Sequence, residues 1–263
     1  MSIALQVALV MVTILVVLLV IGAPIGVAIG MSSAVSMICM IPADVSFATS
    51  AQRIFAGSNS FSLIAIPFFI LAGNIMNNGG IATRLVNCAK VISGRMPGAL
   101  AQSNVVANML FGAISGSGAA AAAAMGGTIG PLEEKEGYDK NYSTAVNVAS
   151  APVGMLIPPS NTMIVYSSVA GSVSIAALFM AGYIPGLLWG GAVMILAGIM
   201  AKKRGYQAEQ RVPVKVALKT FWQAIPSLLL IVIVIGGILG GIFTATEGSA
   251  IAVVYATVLS LIY

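Results

Sequence analysis

The sequence predicts an all-α polytopic membrane protein with a re-entrant helical hairpin and a broken transmembrane helix, and three observations carry that expectation. First, 59% of the 263 residues are hydrophobic and only 7% are charged, whereas a soluble domain carries roughly 25% charge. Second, mean hydropathy is +1.04, and the charge-free stretches reach the ~20 residues a crossing needs. Third, two of those stretches are interrupted near their centres by runs that disfavour helix, Ser115 to Gly118 and Gly154 to Thr162. An ordinary water-soluble enzyme is excluded.

Residues 3 to 22 are apolar, and no Lys or Arg precedes Arg53, so the basic n-region of a signal peptide is missing and a retained helix is expected. The stretch before Asp44 holds two crossings, divided at Gly22, Ala23 and Pro24 because proline and glycine favour a break. Gly22, Gly26 and Gly30 form overlapping Gly-x-x-x-Gly patterns, which read as close helix contact. Phe61 to Met76 supplies a third crossing, ending at the turn signal Asn77-Asn78-Gly79-Gly80. From Ile81 to Arg95, Ile81, Leu85, Cys88 and Val91 recur at helical spacing beside Arg84, Lys90 and Arg95, the pattern of a helix lying in the interface.

Met96 to Leu132 is free of charge, and as one helix it would run about 50 Å, well beyond the ~30 Å hydrocarbon core. Two limbs, Ala99 to Ile114 and Ala119 to Pro131, would span about 24 Å and about 20 Å. Each reaches the midplane and returns, which makes the stretch a re-entrant hairpin with its tip at Ser115 to Gly118. The charged run Glu133, Glu134, Lys135, Glu136, Asp139 and Lys140 reads as a solvated loop. An outward crossing, Tyr142 to about Ala170, is broken by Gly154-Met-Leu-Ile-Pro158-Pro159-Ser160-Asn161-Thr162, since consecutive prolines remove amide donors and disfavour helix before them. Ala176 to Met200 returns. Six basic residues (Lys202, Lys203, Arg204, Arg211, Lys215, Lys219) against Glu209 then mark a cytoplasmic loop. Trp222 to Phe243 crosses outward, Thr244 to Gly248 makes a short turn in which Glu247 reads as a capping carboxylate, and Ala250 to Tyr263 begins an inward helix. Its 14 residues reach only about 21 Å, so a truncated N-terminal portion of a longer chain is expected.

The chemistry available is limited. There is no histidine, so a Ser-His hydrolase and a histidine proton relay are out of reach. Cys39 and Cys88 are too few for a metal cage, and both read as buried filler. The net charge of +5 sits in short loops between apolar runs, a positive-inside pattern with no nucleic-acid partner implied. An intramembrane serine protease built on Ser115 to Gly118 would need a base, and no Lys lies inside a predicted span.

What remains is the pair of irregular segments. Non-helical backbone at membrane depth survives only where it is buried in protein or lines a cavity. Facing each other, the free carbonyls and the Ser115 and Ser117 hydroxyls would ring a dehydrated cation, sodium being the natural candidate. The helix halves starting after each break would turn positive dipole ends toward an anionic substrate group. Ser143, Asn147, Ser150 and Gly154 form one stripe into the break, and Asn104 and Asn108 share a face of the first hairpin limb; both suit helix packing as well as a polar path.

Five segments carry a resemblance: Phe61-Ser-Leu-Ile-Ala-Ile-Pro-Phe-Phe-Ile-Leu-Ala-Gly-Asn, Gly112-Ala-Ile-Ser-Gly-Ser, Ile157-Pro-Pro-Ser-Asn-Thr, Leu178-Phe-Met-Ala-Gly-Tyr-Ile-Pro-Gly and Phe243-Thr-Ala-Thr-Glu-Gly. Together they resemble the large membrane (M, DctM-type) subunit of tripartite ATP-independent periplasmic (TRAP) transporters, over essentially the whole chain. The resemblance implies an ion-transporter-type fold, of which this chain holds the first of two inverted repeats and the start of the second. It implies a non-enzymatic, multi-pass permease of the bacterial inner membrane with no cofactor beyond a sodium coupling ion. The expected cycle is an elevator importing a C4-dicarboxylate or sugar acid with a small four-helix membrane subunit and a periplasmic substrate-binding protein. Ser115 and Ser117 with the backbone oxygens of Gly154, Ile157 and Pro159 would then bind sodium, and Gly116, Ser160, Asn161 and Thr162 would contact substrate. On this reading residues 1–60 are scaffold helices and 61–200 a transport unit, with interfacial helix 81–95, hairpin 97–131 and broken helix 142–170. Residues 201–223 are a basic cytoplasmic loop and amphipathic segment, and 224–263 open the second repeat. A stand-alone divalent-anion/sodium symporter fragment and a non-transporting scaffold subunit are the alternatives.

Overall fold

The computed structural model describes residues 3–171, 173–206 and 213–263. Arg211 and Glu209, counted above in the basic loop, lie outside the described residues. These residues form helices and turns with no strand among them, and the chain divides into two compact units, residues 1–60 and 61–263. By length and composition five helices suffice to cross a membrane, or six if the bent pair Lys140–Leu156 and Asn161–Ala170 is one span.

In the first unit, α1 (Ile3–Val20) buries none of its residues, and Gly22 at φ +86° with Pro24 turns the chain into α2 (Ile25–Ile38). A third helix, α3 (Ala43–Ser58), packs back on α2, where the buried Ser46 hydroxyl donates to the Ala34 carbonyl at 2.7 Å. The glycine pattern does not make the expected close contact: a Cβ at Gly22 or Gly26 would meet nothing within 4 Å, and one at Gly30 only Ile54 at 3.8 Å. The residues that α2 buries are Ala28, Ser32, Ala34 and Ser36 instead.

The second unit begins with one 3-10 turn, Phe61–Ile64, leading into α4 (Ala65–Asn78). The amphipathic α5 (Ile81–Ser93) buries Ile81, Leu85 and Cys88, with Ala82, Val86 and Ala89 between them, against its neighbours. Cys88 is therefore filler as expected, while Cys39 is exposed. The hairpin limbs are α6 (Ala99–Ser115) and α7 (Gly118–Thr128), followed by α8 (Gly130–Lys135). The second limb ends at Thr128 rather than Pro131, since Pro131 opens α8, where its missing amide costs nothing. The broken span comprises α9 (Lys140–Ser150), α10 (Val153–Leu156) and α11 (Asn161–Ala170), bent by 47°. Three long helices complete the unit: α12 (Ile175–Arg204), α13 (Val214–Leu239) and α14 (Ala245–Ile262).

Two further expectations are corrected. Thr244 to Gly248 is not a turn. Thr244 caps α14 and residues 245–248 are its first helical turn, because the Thr244 hydroxyl accepts from the Glu247 amide while the Glu247 carboxylate accepts from the Thr244 amide at 2.7 Å. This confirms Glu247 as a cap and lengthens the helix to 18 residues. Nor is Glu133 to Lys140 a solvated loop. Glu133 is 1% exposed on α8, and Asp139 caps α9 through the Tyr142 amide (2.9 Å) and pairs with Arg204 at 3.2 Å. The core lies around α6, whose faces are covered by α4, α5, α7, α9, α10 and α12; Phe69, Met76, Leu85, Phe111, Ile164 and Phe179 are fully buried there.

Candidate functional site

The hairpin reverses in two residues. Gly116 adopts φ +61°, a left-handed conformation that favours glycine, and its amide donates to the Gly112 carbonyl at 2.8 Å to close α6. Ser117 is extended, and its hydroxyl accepts from the Ala120 amide at 3.3 Å, capping α7. The buried Ser115 hydroxyl faces the Ser117 amide at the long distance of 3.4 Å. Position 116 is strained for a side chain twice over: its φ is left-handed, and a Cβ would press to 3.0 Å from the Pro159 carbonyl oxygen and 3.1 Å from the Asn161 nitrogen.

Those two atoms belong to the break, so the tip and the break are in direct contact. The break forms because Pro158 and Pro159 stand where the amides bonding the Gly154 and Met155 carbonyls would be. The buried Ser160 hydroxyl donates to the Met155 carbonyl and accepts from the Met163 amide at 3.4 Å, capping α11. The Asn161 amide, which would return to the Ile157 carbonyl in a continuous helix, donates instead to the Gly116 carbonyl at 3.3 Å. The Asn161 side chain adds a second link, its Nδ2 donating to the Ser115 carbonyl at 3.3 Å. Among the described residues no hydrogen bond reaches the carbonyls of Ile157 or Pro159, and the Asn161 Oδ1, also buried, has no partner. The Pro159 carbonyl oxygen and the Asn161 side chain both lie beside Gly116 at the tip.

Close backbone approach holds the two segments together. A Cβ at Gly154 would sit 2.5 Å from the Gly112 Cα, one at Gly118 would sit 3.1 Å from the Ala151 carbonyl, and one at Gly73 on α4 would sit 2.9 Å from the Ser115 Cβ. Behind them Gly182 and Gly186 of α12 leave room for Leu156 and Ile157. The polar stripe is a hydrogen-bond network linking the limbs to α9. The Asn108 Nδ2 lies 2.8 Å from Asn104 Oδ1, 3.0 Å from Asn147 Oδ1 and 2.8 Å from Ser150 Oγ, and the Asn147 Nδ2 donates to the Ala122 carbonyl at 2.9 Å. These bonds tie the first limb, the second limb and α9 into one arrangement, although Asn104 Nδ2 and Asn108 Oδ1 are buried without a partner.

Two helices, α7 and α11, begin at this junction, and helix N-termini present positive partial charge and free amides. The junction therefore offers donor-free oxygens and amide dipoles side by side, the first suited to a cation and the second to an anion. Of the predicted residues, Ser115, Gly116, Pro159, Ser160 and Asn161 meet there. Ser117 is half-buried as the cap beside them, and Gly154 and Ile157 lie below, against Gly112 and Gly186. Thr162 is exposed on α11 and makes no described bond to the tip. Sequence reasoning missed the α12 contacts that brace the unit: Gln102 Nε2 to the Met194 carbonyl (2.9 Å), Tyr142 Oη to the Ala197 carbonyl (2.8 Å) and Trp189 Nε1 to the Ala149 carbonyl (2.9 Å). Only the glycine and alanine content of α12 hinted at such close packing.

Comparison with known proteins adds a family. The model of the tripartite ATP-independent periplasmic transporter DctM component matches residues 12–263. A Salmonella typhimurium protein, YgiK, described as uncharacterized, is 54% identical over 232 residues, covering 88% of this chain and 53% of its own. The C4-dicarboxylate TRAP transporter large permease protein DctM of Rhodobacter capsulatus is 38% identical, over 81% of this chain and 51% of its own. The sialic acid TRAP transporter large permease protein SiaM of Vibrio cholerae is 40% identical, over 81% of this chain and 50% of its own. The chain thus spans about half the length of these relatives.

Proposed function

Because the chain belongs to the DctM component family of tripartite ATP-independent periplasmic transporters, we propose that it forms the first half of a sodium-coupled permease that imports a carboxylate across the bacterial inner membrane. One observation carries the coupling: Asn161 joins the hairpin tip to the break through its own amide and its side chain, beside carbonyls that have no donor. A small hard cation takes such oxygens readily, because several neutral ligands replace its hydration shell without a formal charge. Ser115 and Ser117 with the carbonyls of Gly154, Ile157 and Pro159 would hold the sodium ion. Gly116, Ser160 and Asn161 would face the carboxylate, with Thr162 on the exposed side of α11, where the amide dipoles favour negative charge.

In an elevator cycle the unit carrying this junction moves as a body, and a rigid junction suits that role. The buried Asn104, Asn108, Asn147 and Ser150 network keeps the tip registered on the break while the ion and substrate are carried. A C4-dicarboxylate or a sugar acid is the substrate class, by analogy with the relatives named above. A periplasmic binding protein would deliver it, and a small four-helix membrane subunit would complete the permease. The test is uptake by proteoliposomes holding the permease with those two partners. An inward sodium gradient should drive accumulation of the labelled carboxylate, and dissipating that gradient should stop it. Accumulation that persists without a sodium gradient contradicts the coupling.

A further inference from the structure

A second polar site lies away from the tip, at the opposite, charged end of the hairpin. A cavity of about 360 Å³ is lined there by Asn104 of α6, Gly126 of α7, Glu133 of α8 and Ser143 and Asn147 of α9, with Glu134 and Lys140 at its rim. Glu133 is 1% exposed, and neither carboxylate oxygen has a hydrogen-bond partner of good geometry, although the Ser143 hydroxyl lies close enough to favour the ionised form. Two further buried atoms in the same cavity, Asn104 Nδ2 and Ser143 Oγ, are also unpartnered. Such groups persist in a folded protein when a water or an ion completes them.

We propose that Glu133 is a proton-binding site: its carboxyl group is protonated inside this cavity and exchanges its proton with water that enters past Glu134 and Lys140. An ionised carboxylate removed from water needs a cation beside it. Helices α6, α7 and α9 pack on α8. Neither α6 nor α7 contains a titratable group, and α9 contributes Lys140, exposed at the rim, and Tyr142. The connecting segment adds Tyr138 and Asp139, and the Arg204 guanidinium beyond it is already paired with Asp139 at 3.2 Å. No described basic side chain bonds Glu133. A metal cation fits poorly. Among the buried side-chain oxygens lining the cavity, only those of the Glu133 carboxylate and the Ser143 hydroxyl lack a partner, short of the roughly six oxygens a hard cation collects. Asn104 offers an N–H, a group that repels a metal and hydrogen-bonds a water or carboxyl oxygen. In keeping with the geometry, burial pushes the Glu133 carboxyl up from 4.5 to about 7, with Ser143 lowering it in part.

The test is infrared spectroscopy of the purified full chain, titrated in choline chloride and in sodium chloride. A protonated-carboxyl C=O band should persist at pH about 6 and be lost by about pH 8, its intensity falling about tenfold per pH unit above the midpoint. Glu133→Gln should remove the band, and Ser143→Ala should move its midpoint upward. Absence of a neutral-range band, or its survival in Glu133→Gln, assigns the proton elsewhere and overturns the proposal. So does an unmoved midpoint in Ser143→Ala. Loss of the band at constant pH on replacing choline by sodium makes this a metal-cation site and overturns it equally.

Discussion

Gly154→Ala isolates the contact that places the break against the hairpin. The added Cβ would stand 2.5 Å from the Gly112 Cα and 3.3 Å from the Gly112 carbonyl carbon. Ordinary contacts lie at about 3.5–4.0 Å, so the backbones must part by about 1 Å, and no rotamer can relieve the clash because both partners are main chain. Forced overpacking of this kind costs about 1–3 kcal/mol. The separation also falls on the two Asn161 bonds, each already 3.3 Å long, so the donor-free oxygens spread and cation affinity drops with stability. Gly26→Ala is the control, since that Cβ meets nothing within 4 Å, and alanine favours helix by up to about 1 kcal/mol. Equilibrium denaturation of both variants in detergent, with and without sodium, measures the two effects. Gly154→Ala within about 0.5 kcal/mol of wild type, with an unchanged sodium response, would refute the reasoning.

Three further outcomes follow from named contacts. Glu133, raised from 4.5 to about 7, stays protonated in the fold where the unfolded chain ionises. Its stabilising contribution is therefore full below about pH 4.5, declines between about pH 4.5 and 7, and levels off above, by about 3 kcal/mol in all at roughly 1.4 kcal/mol per pH unit. Denaturation of Glu133→Gln across that range should show a correspondingly flatter profile. Glu247→Ala removes half of a capping box and should loosen the start of α14, read as earlier exchange of its first-turn amides with little change elsewhere. A cysteine replacing the half-buried Ser117 should react with a water-soluble thiol reagent in choline and be protected by sodium; equal reactivity in both separates the tip from the ion.

The fold was legible where length and charge act together. A charge-free run too long for one crossing and too short for two, with Ser115-Gly116-Ser117-Gly118 at its centre, leaves little besides a hairpin, and Pro158-Pro159 removes donors wherever the chain goes. That the tip and the break touch was an inference from the cost of bare backbone in lipid; the atoms that join them, through Asn161 and the Gly112–Gly154 approach, are pairings far apart in the chain. Glu133 was misread because its neighbours Glu134, Lys135 and Glu136 are exposed. A charged cluster looks solvated residue by residue, and only the packing of α6, α7 and α9 on α8 buries one of its members. Thr244 to Gly248 was misread for a different reason: the Thr-x-x-Glu capping pattern was present and was read as a turn. The glycines of α2 carry a packing motif, yet small residues permit close approach without requiring it.

Sodium binding by the purified chain tests the central claim most directly. Equilibrium binding of labelled sodium should be saturable in the wild type, should weaken by at least an order of magnitude, about 1.4 kcal/mol, in Ser115→Ala with Ser117→Ala, and should be untouched by Gly26→Ala. Sodium bound equally well by the serine double variant, or not bound at all by the wild type, would contradict an ion held between the hairpin tip and the broken helix.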